Sequence, residues 1–144
     1  MSTDENKAAE RRLTDAMCNQ HDPAAVDQFV APDVVERNSI LGKGLGREGY
    51  RQALQMLFAA FPDVQLTHED LLAEGDTVVA RWTVRNTHRG AFMGMPATNE
   101  QVTVADIDIY RYARGKRVET WSQWDTLGLM QQLGVVPSPA VGRR

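Results

Sequence analysis

Two aspartates in one alternating stretch are the strongest candidates for chemistry in this chain. Asp106 and Asp108 lie in the run from Val102 to Tyr112, which predicts a β-strand. Residues at i and i+2 of a strand share a face, so both carboxyls point the same way, together with Tyr110. If that face lines an apolar cavity, burial and mutual repulsion raise the pKa of one carboxyl, which can then act as an acid or base near neutral pH.

The opposite face of this strand carries Ile107 and Ile109. Alternation alone leaves two arrangements open. If the isoleucines face the core, both aspartates lie in water and have no chemical role. If the aspartates line a pocket, the isoleucines need another cover, such as a second subunit on the convex side of the sheet.

The preceding predicted strand, Thr77 to His88, supplies the second group of candidates. Trp82, Asn86 and His88 share its more apolar face, and the two polar members lie where a pocket would open. The loop that follows holds Phe92, Met93 and Met95, which could form a mobile lid or plug the pocket permanently.

The last strand and the short helix after it give further candidates. Ser122 and Trp124 share one face of the segment from Arg117 to Trp124, which contains two of the three tryptophans. Asp125 is placed to cap the following helix, and it is also an alternative acid–base residue if the strand register differs.

The remaining pattern predicts an α+β fold, because helices come first and strands follow. Apolar residues at helical spacing are clearest from Tyr50 to Phe61. The predicted elements, in chain order, are a frayed tail to Asn6, helices at Lys7–Gln20 and Ala24–Val30, a strand at Asp33–Ile40, a glycine-rich loop at Gly42–Gly46, the helix ending at Phe61, strands at Val64–Ala73, Thr77–His88, Gln101–Tyr112 and Arg117–Trp124, and a final helix around Leu127–Leu133.

Bulk properties narrow the functional classes. The chain has 144 residues and a formal net charge of −3, which predicts one domain over residues 1–144, with loose tails at about 1–6 and 137–144, and no nucleic-acid or membrane partner. A single cysteine, Cys18, and the lack of an apolar leader predict a cytoplasmic protein. The histidines His21, His68 and His88 lack metal-ligand spacing, and no phosphate-binding loop is present, so we expect neither metal nor cofactor.

Three motifs carry a resemblance to a known family: the stretch from Thr87 to Gly90 followed by Gly94-Met95-Pro96, the IDIYRY strand, and the WDTLGLMQQLG end. Together they resemble the SnoaL-like polyketide cyclases. The resemblance implies a cone built from a curved, mostly antiparallel sheet, packed by three N-terminal helices and a short C-terminal helix. It also implies a homodimer through the convex sheet face, a hydrophobic polyketide-like ligand, and ring closure without a cofactor.

The resemblance also assigns roles to positions, several of which carry different residues here. The acid–base aspartate of characterised members falls on Ser122, and their assisting histidine falls on Asp108. His88 matches a family histidine. A family tyrosine and asparagine fall near Met17 and Ala53, which makes the expected pocket more apolar. Its expected lining is Met17, Ala53, Leu57, Trp82, Asn86, Phe92, Met95, Tyr110, Ser122 and Trp124.

These residues support several functions. The first is a cyclase, working either by acid–base catalysis through Asp108 or Asp125 with His88, or by folding the substrate so that its reacting atoms meet. The second is an epoxide-opening hydrolase of the limonene-epoxide-hydrolase type, for which no arginine lies obviously on the aspartate face. The third is a binding or accessory protein that has lost catalysis.

Overall fold

The computed structural model describes residues 2–37 and 46–139. The elements are α1 (Thr3–Thr14), a π-helical turn (Asp15–Asn19), α2 (Ala25–Phe29), β1 (Val30–Glu36), α3 (Gly46–Ala60), β2 (Gln65–Glu74), β3 (Thr77–Thr87), β4 (Gln101–Ala113), β5 (Lys116–Trp124) and α4 (Thr126–Gln132). The fold is α+β, as predicted.

One curled, open sheet contains all five strands, in the order β1-β5-β4-β3-β2. Strands β2 to β5 form an antiparallel meander, and β1 joins the edge of β5 in parallel. The helices pack on the concave side of the sheet, so inward side chains of the strands and apolar side chains of α1 and α3 share the core. Among the described residues, no helix is long and apolar enough to cross a membrane.

The predicted N-terminal tail is wrong, because α1 begins at Thr3. The Ser2 hydroxyl accepts a hydrogen bond from the Glu5 backbone N–H at 3.1 Å, and the Glu5 carboxylate accepts one from the Ser2 N–H. This reciprocal cap satisfies two N–H groups at the helix start. Asn6, expected in the tail, is buried.

Strand β1 differs from its predicted bounds of Asp33–Ile40. It begins at Val30 and its described part ends at Glu36. Residues 38–45 lie outside the described residues, and with them most of the predicted glycine-rich loop, of which Gly46 begins α3. Of the predicted C-terminal tail, residues 137–139 are described and form neither helix nor strand.

Candidate active site

Strand β4 turns its aspartates and tyrosines inward. Burial alternates along the whole strand, with Asp106, Asp108, Tyr110 and Tyr112 buried. Ile107 and Ile109 are on the outer face and are exposed. This is the second of the two arrangements that alternation left open, so both carboxyls are removed from water.

The inward face of the sheet and the helices above it enclose a cavity that opens to solvent. Its free volume is about 60 Å³, within a space of about 660 Å³ that includes its opening. The free space is therefore narrow, and a ring-sized guest requires lining side chains to move. The lining consists of Thr14, Met17, Cys18, Glu36, Tyr50, Leu54, Leu57, Phe58, Val64, Leu66, Trp82, Val84, Asn86, Asp108, Tyr110, Arg117, Thr120, Ser122 and Trp124.

Asp108 is held by two donors inside this cavity. Its Oδ2 atom accepts hydrogen bonds from the Trp82 indole N–H at 3.0 Å and from the Tyr110 hydroxyl at 2.6 Å. An indole N–H can only donate, so Oδ2 must be an acceptor. The other oxygen, Oδ1, is buried and has no hydrogen-bond partner among the described residues. The carboxyl is thus oriented through one oxygen and available through the other.

Asp106 lies on the same buried face of β4 as Asp108. Neither of its carboxyl oxygens has a well-formed hydrogen bond within the described part of the chain. Burial, and after it the charge of Asp108, raise the pKa of Asp106 to about 10. Asp106 is therefore a neutral carboxylic acid at neutral pH.

A buried ion pair adjoins the cavity, which Arg117 lines. Arg117 of β5 and Glu10 of α1 are both buried, and the guanidinium donates to Glu10 Oε1 at 2.5 Å. The hydroxyls of Tyr112 and Thr14 also donate to Glu10, at 2.7 and 2.6 Å. Burial opposes ionisation of Glu10, but the charge of Arg117 and the hydrogen bonds of His68, Thr14 and Arg117 outweigh it and hold the pKa of Glu10 at about 2. The guanidinium also lies 3.7 Å from the centre of the Tyr110 ring.

Strict alternation along β5 assigns Arg117 to the wrong face, because the strand contains a bulge. Tyr112 pairs with Arg117, but the adjacent Arg111 pairs with Glu119, so Val118 is an extra residue. The extra residue turns Arg117 to the same face as Thr120 and Ser122. The absence of an arginine from the aspartate face, expected from the sequence, is therefore wrong.

Glu36 is a second cavity residue that the sequence analysis missed. The sequence does not indicate which face of the predicted strand Asp33–Ile40 is buried, so nothing marks this glutamate as a cavity residue. It is the last residue of β1, is only 2% exposed, and lines the cavity.

Eight of the predicted site residues line the cavity together: Met17, Leu57, Trp82, Asn86, Asp108, Tyr110, Ser122 and Trp124. Trp82 and Trp124 meet edge to face, with ring centres 5.9 Å apart. Ser122 lies directly opposite Asp108 in the β4–β5 ladder. Ala53 is buried in α3 but is not part of the lining.

The expectation that His88 faces the cavity is wrong. Its ring is fully buried 5.3 Å from the Phe61 ring, and Nδ1 accepts a hydrogen bond from the Thr98 backbone N–H at 3.3 Å. Phe92 and Met95 pack on the same apolar cluster as Phe61 and do not reach the cavity either. The strand β3 ends at Thr87, so strand alternation no longer determines where His88 points.

Asp125 is also outside the cavity, where it caps α4. Its carboxylate accepts a hydrogen bond from the Gly128 backbone N–H at 2.9 Å, as the capping prediction required. Its side chain is exposed. The alternative placement of Asp125 as a buried acid–base residue is therefore wrong. Within residues 2–37 and 46–139, no group of three or more His, Cys, Asp or Glu side chains is arranged to hold a metal ion.

The fold and the cavity are those expected from the family resemblance of the sequence. The family model for SnoaL-like polyketide cyclases matches residues 8–133. The chain belongs to the SnoaL-like polyketide cyclase family. A search of curated proteins gave no match.

Several solved structures resemble the chain over most of its length and over most of their own. TsrD from Streptomyces laurentii is 32% identical, with a TM-score of 0.79 over 90% of this chain and 97% of that one. AclR from Streptomyces galilaeus, which is named as a hydroxylase, is 31% identical, with a TM-score of 0.85 over 97% of this chain and 88% of that one. A SnoaL-like polyketide cyclase from Agrobacterium tumefaciens is 25% identical, with a TM-score of 0.77 over 93% and 100%.

Proposed function

We propose that this family member is a cofactor-independent enzyme that closes a ring in a polyketide-like intermediate, with Asp108 as its acid–base residue. The observation that carries the proposal is the Asp108 carboxyl itself. It is buried in a cavity with aromatic walls, anchored through Oδ2 and without a partner at Oδ1. A buried carboxyl left partly unpartnered costs stability, so it indicates a functional role.

Asp108 stands next to the position at which characterised family members carry their acid–base aspartate. The resemblance places that aspartate at Ser122, and Asp108 is the residue opposite Ser122 in the ladder. A carboxyl at this position reaches the same region of the cavity from the neighbouring strand. Asp106 beside it is neutral, so it does not compete with Asp108 for the role of base.

The walls of the cavity supply the second contribution to ring closure. Trp82, Tyr110 and Trp124 offer flat apolar surfaces, which suit a conjugated or polyene-like guest. Holding two reacting groups of one chain together can contribute up to about 7–11 kcal/mol of the barrier.

The two alternative functions have less support. A hydrolase of the limonene-epoxide-hydrolase type needs an arginine that bridges two aspartates, whereas Arg117 is paired with Glu10 and Tyr50. A binding protein without chemistry would contact its guest through the same unpartnered oxygens of Asp108 and Glu36, but the family to which the chain belongs is one of cyclases.

We also propose a homodimer through the convex face of the sheet. Leu72, Val79, Ile109 and Trp121 are register partners on successive strands and form an outward apolar row across β2 to β5. Leu72 is 65% exposed and Ile109 39% exposed, and such continuous apolar surface is typical of an interface. We place this single-domain dimer in the cytoplasm, in secondary metabolism such as antibiotic biosynthesis.

A product assay tests the proposed reaction. The purified protein, treated with EDTA and dialysed, is incubated with a linear diketone whose carbonyls are four methylenes apart, which closes by an intramolecular aldol reaction. We expect accelerated formation of the closed product, followed by mass spectrometry. A parallel incubation of epoxides in oxygen-18 water tests the hydrolase. Label in a diol, without acceleration of ring closure, contradicts the proposal.

A further inference from the structure

Glu36 is a buried carboxyl that the proposed role of Asp108 does not use. Its side chain lines the cavity, and its Oε1 atom is buried without a hydrogen-bond partner among the described residues. Unpartnered polar atoms in a cavity wall are the groups that a guest contacts.

The neighbouring residue fixes the direction of the Glu36 side chain. The Arg37 backbone N–H donates to the Thr120 carbonyl at 2.9 Å, which anchors the end of β1 to β5. The Arg37 guanidinium lies on the outer face, where its Nε donates to Glu119 at 2.7 Å. Because successive strand residues face opposite sides, this outer contact holds Glu36 inward.

Glu36 and Asp108 flank strand β5 from its two sides. Glu36 is the register partner of Thr120 on β5, and Asp108 is the partner of Ser122. Neighbouring strands are about 4.8 Å apart, so the backbones of β1 and β4 are separated by about 10 Å across β5. Glu36 and Asp108 are also offset along the strand direction, because their partners on β5 are Thr120 and Ser122. A guest that lies over Thr120 and Ser122 contacts both carboxyls.

The charged groups around Glu36 come from three elements. Arg117 faces it from β5, Asp108 from β4 and the Tyr50 hydroxyl from α3. Burial raises the pKa of Glu36 to about 7, with a further contribution from the Asp108 charge, while Arg117 opposes the rise. Glu10 already neutralises Arg117 through their ion pair. Glu36 can therefore carry or release a proton at neutral pH.

We propose that Glu36 is a second catalytic acid–base residue, which works opposite Asp108 on a substrate with two ketone groups. This inference rests on the proposed cyclase function. Asp108 removes a proton from the carbon next to one carbonyl, and the electrons of the C–H bond form an enolate. The enolate carbon attacks the second carbonyl carbon, and the oxygen of that carbonyl takes the proton from Glu36. Exchange with solvent then returns a proton to Glu36 and removes one from Asp108.

Glu36→Gln tests the inference, with Glu74→Gln as the matched control. Glu74 is also the last residue of a strand, β2, but its side chain is exposed. The assay follows closure of the linear diketone against pH. We expect Glu36→Gln to lower the rate at least tenfold and to abolish the loss of rate as pH rises through about 7, because an acid acts only while protonated. Glu74→Gln keeps the wild-type rate and profile.

The outcomes separate this inference from the proposed function. If Glu36→Gln keeps the wild-type rate and pH profile while the wild type is active, Glu36 has no catalytic role and the cyclase stands. If the wild type does not accelerate closure, the proposed function fails and the inference fails with it. Should Glu36→Gln not fold, Glu36→Asp replaces it. That variant keeps a carboxyl but withdraws it by one methylene, so we expect a lower rate that still falls as pH rises through about 7. An unchanged rate contradicts a contact between Glu36 and the substrate.

Discussion

Asp106 and Asp108 have different surroundings although they are two residues apart on one strand face. Asp108 accepts from Trp82 and Tyr110, whereas Asp106 has no well-formed partner in the described structure. The sequence predicted that the two carboxyls share a face and that one has a raised pKa. It could not predict which one, because that depends on donors from other parts of the chain.

The raised pKa of Asp106 makes the free energy of unfolding decrease as the pH rises. The native state keeps a proton up to about pH 10, whereas an unfolded aspartate releases it near 3.8. Between these values the unfolded chain binds fewer protons, so this group lowers the free energy of unfolding by about 1.4 kcal/mol per pH unit at most. Asparagine mimics the neutral acid and removes this dependence.

We therefore expect Asp106→Asn to gain stability relative to the wild type between pH 5 and pH 8, by a few kcal/mol. Denaturant unfolding at both pH values measures it. Asp33→Asn, at an exposed position of β1, is the control and changes little. Parallel pH profiles for Asp106→Asn and the wild type would show that Asp106 ionises normally in the folded protein.

At the scale of elements, regular periodicity predicts the buried residues correctly, and the errors occur where the periodicity is interrupted. Helix α3 and strands β3 and β4 follow simple periods. The buried faces of α3 and β3 agree with the predictions, and β4 adopts one of the two arrangements that its alternation allows. The bulge in β5 and the π-helical turn after α1 each add a residue to the repeat. Arg117 was missed because of the bulge. Glu10 was missed because hydropathy assigns an isolated glutamate to the polar side of a helix.

The ion pair between α1 and β5 predicts a large stability effect. Glu10→Gln leaves the buried Arg117 guanidinium without a counter-charge, and removal of one member of a buried pair costs about 3–5 kcal/mol. Thermal or denaturant unfolding at pH 7 measures the loss. Arg12→Gln, exposed on the same helix, is expected to change stability by less than about 0.5 kcal/mol. Equal effects of the two substitutions contradict a structural role for the pair.

For the molecule as a whole, the outward apolar row on the sheet predicts self-association. Ile109 lies in the middle of this row, and a lysine there places a charge in the proposed dimer interface. We expect Ile109→Lys to shift the protein from dimer to monomer in size-exclusion chromatography with light scattering. Leu127→Lys, at an exposed position of α4, leaves the dimer intact. A wild type that is monomeric at all concentrations contradicts the proposed interface.

The overall fold could be predicted from the sequence because three motifs carry the family resemblance, whereas the site could be predicted only in part. Eight predicted residues meet in the cavity, while His88, Phe92 and Met95 pack in a separate cluster. Loop residues such as Phe92 have no period from which their direction can be inferred. Only the three-dimensional structure brings Glu36 to the same cavity.

The most direct test of the account is the rate of ring closure by Asp108→Asn, compared with Asp125→Asn. Both substitutions replace an aspartate by its neutral isostere, but asparagine still caps α4 at position 125. The account predicts that Asp108→Asn slows closure of the linear diketone by about 10²- to 10⁴-fold and that Asp125→Asn does not change it. An Asp108→Asn protein that is folded and closes the ring at the wild-type rate would contradict acid–base catalysis at this site.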